Sequence, residues 1–304
     1  MSYISEILRK LLPWRWYKLL ANGWMVVPGY YRNHLQDTEK YFDLALENTD
    51  GKELLLMRKY GHILDKGLHR KDTESGHSKN IYLELKSKVE RMKSVGLHDE
   101  LTVKWAESKL RLYEKLQLAD GTFTPLEGEK ETCAISFEQI AELIKLRRSN
   151  RSFSNKPVSD GDVAKLIELV HWAANSCNKQ PIELFVANDP VIAKKCLKCF
   201  KGGTGFSECI PSFWVFSADV RGYVWPSEMY LPTLDTSLGA QNVFLAATTL
   251  GISGTILSWG QKDEHEEKLL RKILNIPEYY SIIFGAVMGY AESTFIHPQR
   301  KTEE

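Results

Sequence analysis

Arg147-Arg148-Ser149-Asn150-Arg151-Ser152-Phe153 gathers guanidinium and hydroxyl side chains directly after an amphipathic run that ends near Leu146. Guanidinium groups hold phosphate through charge-assisted, often bidentate, hydrogen bonds, so this cluster can grip a phosphorylated ligand. Cations at a helix C-terminus are also favoured by the helix dipole. That accounts for Arg147 and Arg148 without any ligand, but not for Ser149 or Arg151. A second polar stretch, Asn175-Ser176-Cys177-Asn178-Lys179-Gln180-Pro181, follows one helix later. Asn178 and Gln180 each carry donors and acceptors, which suits the edge of a heteroaromatic ring. Taken alone, the stretch also reads as a helix-ending turn, with Pro181 opening the next strand.

The elements that must position these residues follow from periodicity. Residues 1–132 read as a mostly helical region. It holds a short helix over Thr38–Glu47 and two longer helices, His77–Val95 and His98–Leu118, that make a hairpin across Gly96. Ile81, Leu85, Val89 and Met92 mark the apolar face of one, and Leu101, Trp105, Leu110, Leu112 and Leu116 that of the other. The polar stretch from Asp120 to Lys130 is the natural linker. Residues 133–304 alternate helices and strands. Helices are expected over Ser136–Arg147, Ser159–Asn175, Pro190–Phe200 and Leu234–Leu250, and strands over Glu183–Ala187, Ser212–Ala218, Gly254–Ser258 and Ile282–Met288. The helix from Leu234 is so apolar that burial on most sides is expected. Interleaved strands and helices imply an α/β or α+β domain.

The chain has 304 residues with 40 Lys+Arg against 39 Asp+Glu, a balance that argues against general nucleic-acid binding. Its 5 cysteines, at 133, 177, 196, 199 and 209, imply no disulfide framework and fit a reducing, cytoplasmic setting. No signal peptide or membrane-spanning run is expected. The aromatic and basic residues from Leu11 to Leu20 suit a membrane surface. Pro13, Gly23 and Pro28 interrupt any long amphipathic helix there, so an arm packed on the body or on a partner subunit is the favoured reading.

With these motifs in order, the chain resembles the nitroreductase family of FMN-dependent oxidoreductases. The arginine cluster, Pro157-Val158 and Ser176-Cys177-Asn178-Lys179-Gln180-Pro181 follow the family pattern. So do Asp235 to Asn242 with Leu250-Gly251-Ile252, then Gly254 to Trp259, and finally Phe284 to Tyr290. The likeness covers about 136 to 301. It implies an α+β, three-layer α/β/α fold around a mostly antiparallel sheet, preceded by a helical N-terminal region. It further implies an FMN cofactor, NADH or NADPH as electron donor, a small electrophilic acceptor, and a homodimer with the flavin site at the interface. Arg147, Arg148, Ser149 and Arg151 would hold the FMN phosphate and ribityl chain, with Arg300 (or Lys301) closing the phosphate site. Asn175, Ser176, Cys177 and Asn178 would approach from the partner subunit, and Ser258 and Trp259 would offer backbone N–H groups near flavin N5. Cys177, Lys179 and Ser258 depart from the family pattern, which bears on substrate identity.

Other motifs are weaker. Cys196-Leu197-Lys198-Cys199 reads as ordinary thiols in preference to a redox pair or half a metal site. Gly202-Gly203-Thr204-Gly205 fits neither dinucleotide nor P-loop spacing and reads as a mobile loop over the site. His62 to Leu68 offers His, Asp and Lys in one turn, suited to proton transfer or anion binding, but reads first as a helix end with Gly67 at C′. Alternatives to the reductase reading are a flavin-dependent dehydrogenase of a sugar- or peptide-derived intermediate, a non-catalytic flavin-binding adaptor, and a membrane-surface protein.

Overall fold

A computed structural model describes residues 40–41, 43–44, 46–47, 49–71, 74–117, 125–260, 264–293 and 300–301. The aromatic and basic segment near the start lies outside the described residues. So do Thr38 and much of the linker beginning at Asp120.

Helices α1 (Asp50–Leu68), α2 (Lys79–Ser94) and α3 (Leu101–Gln117) form the first part. Thr49 caps α1 by accepting from the Lys52 amide at 3.3 Å, and Asp50 and Glu53 favour its first turn. The three helices enclose a core of their own, built from Met57, Leu64, Leu68, Leu85, Val89, Met92, Val103, Ala106, Leu110 and Tyr113. Leu101 is an exception to the expected apolar face, being 76% exposed. The buried stripe of α3 runs through Val103, Ala106, Leu110 and Tyr113, and Leu101 opens the helix off that stripe. Gly96 turns the chain between α2 and α3 with φ +88.

Gly67 does not stand at C′ as expected. The helix runs on through Leu68, and Gly67 lies inside it, with the His77 ring packed close, 3.1 Å from where a Cβ would sit. Within the linker, Leu126 is tied to the helical region, its amide donating to the Leu68 carbonyl at 2.9 Å.

The second part is a sheet between helical layers. Strands β1 (Ile182–Ala187), β2 (Ser212–Asp219), β3 (Ile252–Ser258) and β4 (Tyr280–Tyr290) lie in the order β1-β2-β4-β3, with every pairing antiparallel. Alternation along β2 sends Phe213 and Val215 to one face and Trp214 and Phe216 to the other. On the first face pack α6 (Pro190–Lys198) and α8 (Glu264–Leu274), through Ala193, Cys196, Leu197 and Leu270. On the second pack α5 (Asp160–Val170) and α7 (Leu231–Thr249), through Val163, Leu166, Val170, Val243 and Phe244. The fold is therefore the expected three-layer α+β arrangement behind a helical region. Among the described residues no helix is long and apolar enough to cross a membrane.

Cys196 and Cys199 both sit in the core of the first face, and burial pushes the Cys196 thiol up to about 12. With the native chain, alkylation by iodoacetamide should proceed at the exposed Cys133 and leave Cys196 and Cys199 unmodified until denaturant is added. Peptide mapping checks this; early labelling of Cys196 would contradict it.

Two apolar surfaces remain outside. Helix α4 (Phe137–Leu146) is held by a capping box between Ser136 and Gln139, yet it has no buried residue. Phe137, Ile140, Ile144 and Leu146 are all exposed, Phe137 at 78%. The expectation that the Leu234 helix is buried on most sides also fails for the single chain. The sheet covers one side of α7 only, so Leu234 and Leu238 stay 46% and 44% exposed.

Candidate functional site

The arginine segment owes its course to the β3 edge of the sheet and to the end of β4. Asn150, although inside the cluster, is buried and closes a turn on Ser152, its Oδ1 accepting from the Ser152 amide at 3.3 Å and its Nδ2 donating to the Ser152 carbonyl at 2.6 Å. Thr255 on β3 donates to the Asn150 carbonyl at 2.6 Å. Phe153 is buried and bridges Ala291 just beyond β4, and the Ser154 amide donates to the Tyr290 carbonyl. The chain thus leaves α4, passes the middle of the edge strand β3 at Thr255 and anchors beside the end of β4, carrying the arginines with it.

Burial, and then the nearness of Arg300 and Arg148, holds the Arg147 guanidinium below its usual range. Neighbouring cations repel one another, and an anion bound among them would relieve that repulsion. Ser149 joins them, its Oγ accepting from Arg147 at 3.5 Å. Arg148 also donates to the carbonyls of Lys145 and Arg147, so it serves the end of α4 as the helix-dipole reading expects. Arg151 turns elsewhere, its guanidinium 5.9 Å from the centre of the Phe206 ring. The loop at 201–207 borders the cluster. Its end is stitched to it, the Ser207 amide donating to the Arg151 carbonyl and the Phe153 amide to Ser207 Oγ. The expected mobile loop is thus fixed at this end.

The second polar stretch is a tight turn, Ser176–Asn178, in an unusual backbone state. Cys177, Asn178 and Gln180 have φ of 56, 52 and 52, a left-handed region that costs a non-glycine residue about 1–2 kcal/mol. Side chains hold it there. Asn175 Oδ1 accepts from the Gln180 amide at 2.8 Å, and Gln180 Nε2 donates to Asn178 Oδ1 at 3.2 Å. Asp235 on α7 accepts from the Ser176 amide at 3.0 Å, from Ser176 Oγ at 2.9 Å and from the Tyr223 hydroxyl at 2.7 Å. Burial, reinforced by Asp235, pushes the Tyr223 phenol far up, so it remains a donor. Asn175 and Ser176 therefore brace the turn with their side chains, and Cys177 and Asn178 form its left-handed apex.

Ser258 ends β3 and is exposed, with its Oγ accepting from the Gly260 amide at 3.1 Å. The Trp259 ring packs into the core against Phe200, with centroids 4.5 Å apart, and its indole N–H is buried without a partner among the described residues. Sequence reasoning missed Asp235, Tyr223 and Glu228 as supports of the turn. Asp235 did leave a signal, being an acid within an almost wholly apolar helix.

The arginine segment lies within the region, residues 144–204, that matches the Nitroreductase family. A provisionally named NADH dehydrogenase/NAD(P)H nitroreductase of Archaeoglobus fulgidus is 30% identical over 153 residues, covering 50% of this chain and 86% of its own. The oxygen-insensitive NADPH nitroreductase of Salmonella typhimurium is 24% identical over 172 residues, covering 53% and 70%. The FMN reductase [NAD(P)H] of Bacillus subtilis is 25% identical over 166 residues, covering 50% and 66%. The arginine segment, the turn behind it and these relatives agree: the chain belongs to the nitroreductase family.

Proposed function

We propose that the chain is an FMN-dependent NAD(P)H oxidoreductase that works as a homodimer on a small electrophilic acceptor. The observation that carries this is the partly buried Arg147, which donates to Ser149 Oγ at 3.5 Å and feels the charges of Arg300 and Arg148. The donor set suits a phosphate monoester: several guanidinium groups and a hydroxyl, at a segment fixed on the sheet by Thr255 of β3 and Ala291 beyond β4. Arg147, Arg148, Ser149 and Arg300 would hold the FMN phosphate, and Arg151 would reach the ribityl chain or the loop at 201–207. Names of relatives, an FMN reductase among them, support the same cofactor. Bound there, FMN would supply two-electron transfer between NAD(P)H and the acceptor. The turn at Cys177 and Asn178 would meet the flavin edge from the partner subunit. Backbone N–H groups at Ser258 and Trp259 would stabilise negative charge near N5.

The exposed apolar faces of α4 and α7 support the homodimer. Exposed Phe137, Ile144, Leu146, Leu234 and Leu238 on these two helices are costly in water, and a second copy of the same chain would cover them. Ile144→Glu combined with Leu238→Glu should therefore give a monomer by size-exclusion chromatography with light scattering, and flavin retention should fall with it. A double variant that stays dimeric would contradict the assigned interface.

The direct test of function is flavin titration followed by anaerobic mixing with NADH or NADPH. Bleaching of the bound flavin by either nucleotide supports the reductase. Tight FMN that neither nucleotide bleaches would instead favour an adaptor.

A further inference from the structure

Lys179 sits in the turn just described, and its side chain is 0% exposed. An ammonium so buried is costly unless it is paired. Its partner is Glu228, at 3.2 Å, and the Tyr223 ring lies 4.2 Å from the same nitrogen. Glu228 is shared: the same oxygen lies 3.6 Å from Lys59 on α1, in the helical region. The carboxylate is itself held by the Trp225 amide at 3.2 Å. One partly buried acid, its side chain 15% exposed, therefore joins a lysine of the helical region to a lysine of the strained turn.

Packing repeats the connection. A Cβ on Gly222 would stand 3.0 Å from Leu55 of α1 and 3.4 Å from the Lys179 stem, so α1 and the turn close on one glycine. Nearby, Arg221 pairs with Asp219, stacks 3.6 Å from the centre of the Tyr279 ring and donates to Thr49 at the start of α1 at 3.4 Å. Its guanidinium occupies the space a side chain at position 51 would need, 2.2 Å from a Cβ there, which explains Gly51.

A left-handed turn without glycine persists only where its surroundings over-determine it. Here those surroundings come from two sides: Asp235 on α7 and, through Glu228, α1. We infer that the helical region is a working part of the flavin site, and that Lys59, Glu228 and Lys179 are positioning residues that make the conformation of the turn at 176–180 depend on the docking of α1. This rests on the flavin reading above for what the turn contacts, but the coupling of turn and helix is a property of the chain alone. Coupling is reciprocal, so a ligand that orders the turn must also favour docked α1.

The test is amide hydrogen exchange by mass spectrometry on the full chain, without flavin and with saturating FMN, for wild type, Glu228→Gln and Lys179→Met. Without flavin, both variants should exchange roughly tenfold faster at residues 176–180 and in α1 around Lys59, with β2 and β4 unchanged. With FMN, wild-type α1 should gain protection, and the variants should bind FMN about ten- to a hundredfold more weakly, as a misplaced contact predicts. Lys179→Met preserves the buried stem and serves if Glu228→Gln does not fold. Unchanged exchange at the turn, or a rise spread evenly over the whole chain, would overturn the inference. Failure of wild-type chain to bind FMN would instead remove the flavin reading, while the flavin-free exchange pattern would still decide the coupling.

Discussion

Arg147→Ala should release FMN. Arg147 is partly buried, and the charges of Arg300 and Arg148 act upon it. A charge-assisted hydrogen bond is worth about 1.5–3 kcal/mol, and a bidentate guanidinium contact to phosphate can make a pair of them. Loss of that contact predicts an FMN dissociation constant raised roughly a hundredfold or more, so flavin leaves during gel filtration. Folding should survive, because removing one guanidinium from a cluster of like charges relieves repulsion in the flavin-free chain. The check is flavin fluorescence titration beside thermal unfolding of flavin-free protein. The account expects a large loss of affinity with an unfolding temperature equal to or above wild type. Arg147→Lys should recover part of the affinity by restoring charge without the planar fork.

Asp235→Ala should be the most destabilising change at the site. Asp235 is 1% exposed and accepts from the Ser176 amide, Ser176 Oγ and the Tyr223 hydroxyl. Alanine leaves the buried Tyr223 hydroxyl and the turn amide without an acceptor, each at about 1–3 kcal/mol. A combined loss of about 3–5 kcal/mol corresponds to a fall of roughly 10 °C in unfolding temperature for a domain of this size. The turn should lose its left-handed state at the same time, since two of its donors depend on that carboxylate. Asp235→Asn keeps an acceptor oxygen and should cost less. Calorimetry of the flavin-free chain checks the order: alanine below asparagine, asparagine below wild type. Equal unfolding temperatures for all would contradict the clamp.

Much of this was legible in the sequence for identifiable reasons. Ser136 with Gln139, and Ser159 with Asp162, announce helix starts through short-range hydrogen bonds that depend on a few residues. Strand β2 alternates residues that the structure sends to opposite faces. The arginine cluster and the polar turn are contiguous in the chain and so can be read without a fold. What stayed hidden depends on distant residues. The burial of Lys179 is not written in its neighbours, because it depends on Glu228, far along the chain, coming within 3.2 Å. Gly67 reads as a helix end, whereas the helix continues through Leu68 and the His77 ring packs close over the glycine. Burial of α7 was overestimated because apolar composition does not say whether the covering surface belongs to the same chain.

The most direct measurement of the central claim is the visible absorption spectrum of the purified chain incubated with FMN, desalted, and mixed anaerobically with NADH or NADPH. The account predicts retained flavin bands in wild type, bleached by at least one of the nucleotides, and no retained bands in Arg147→Ala. A folded wild-type chain that emerges colourless from desalting would contradict it.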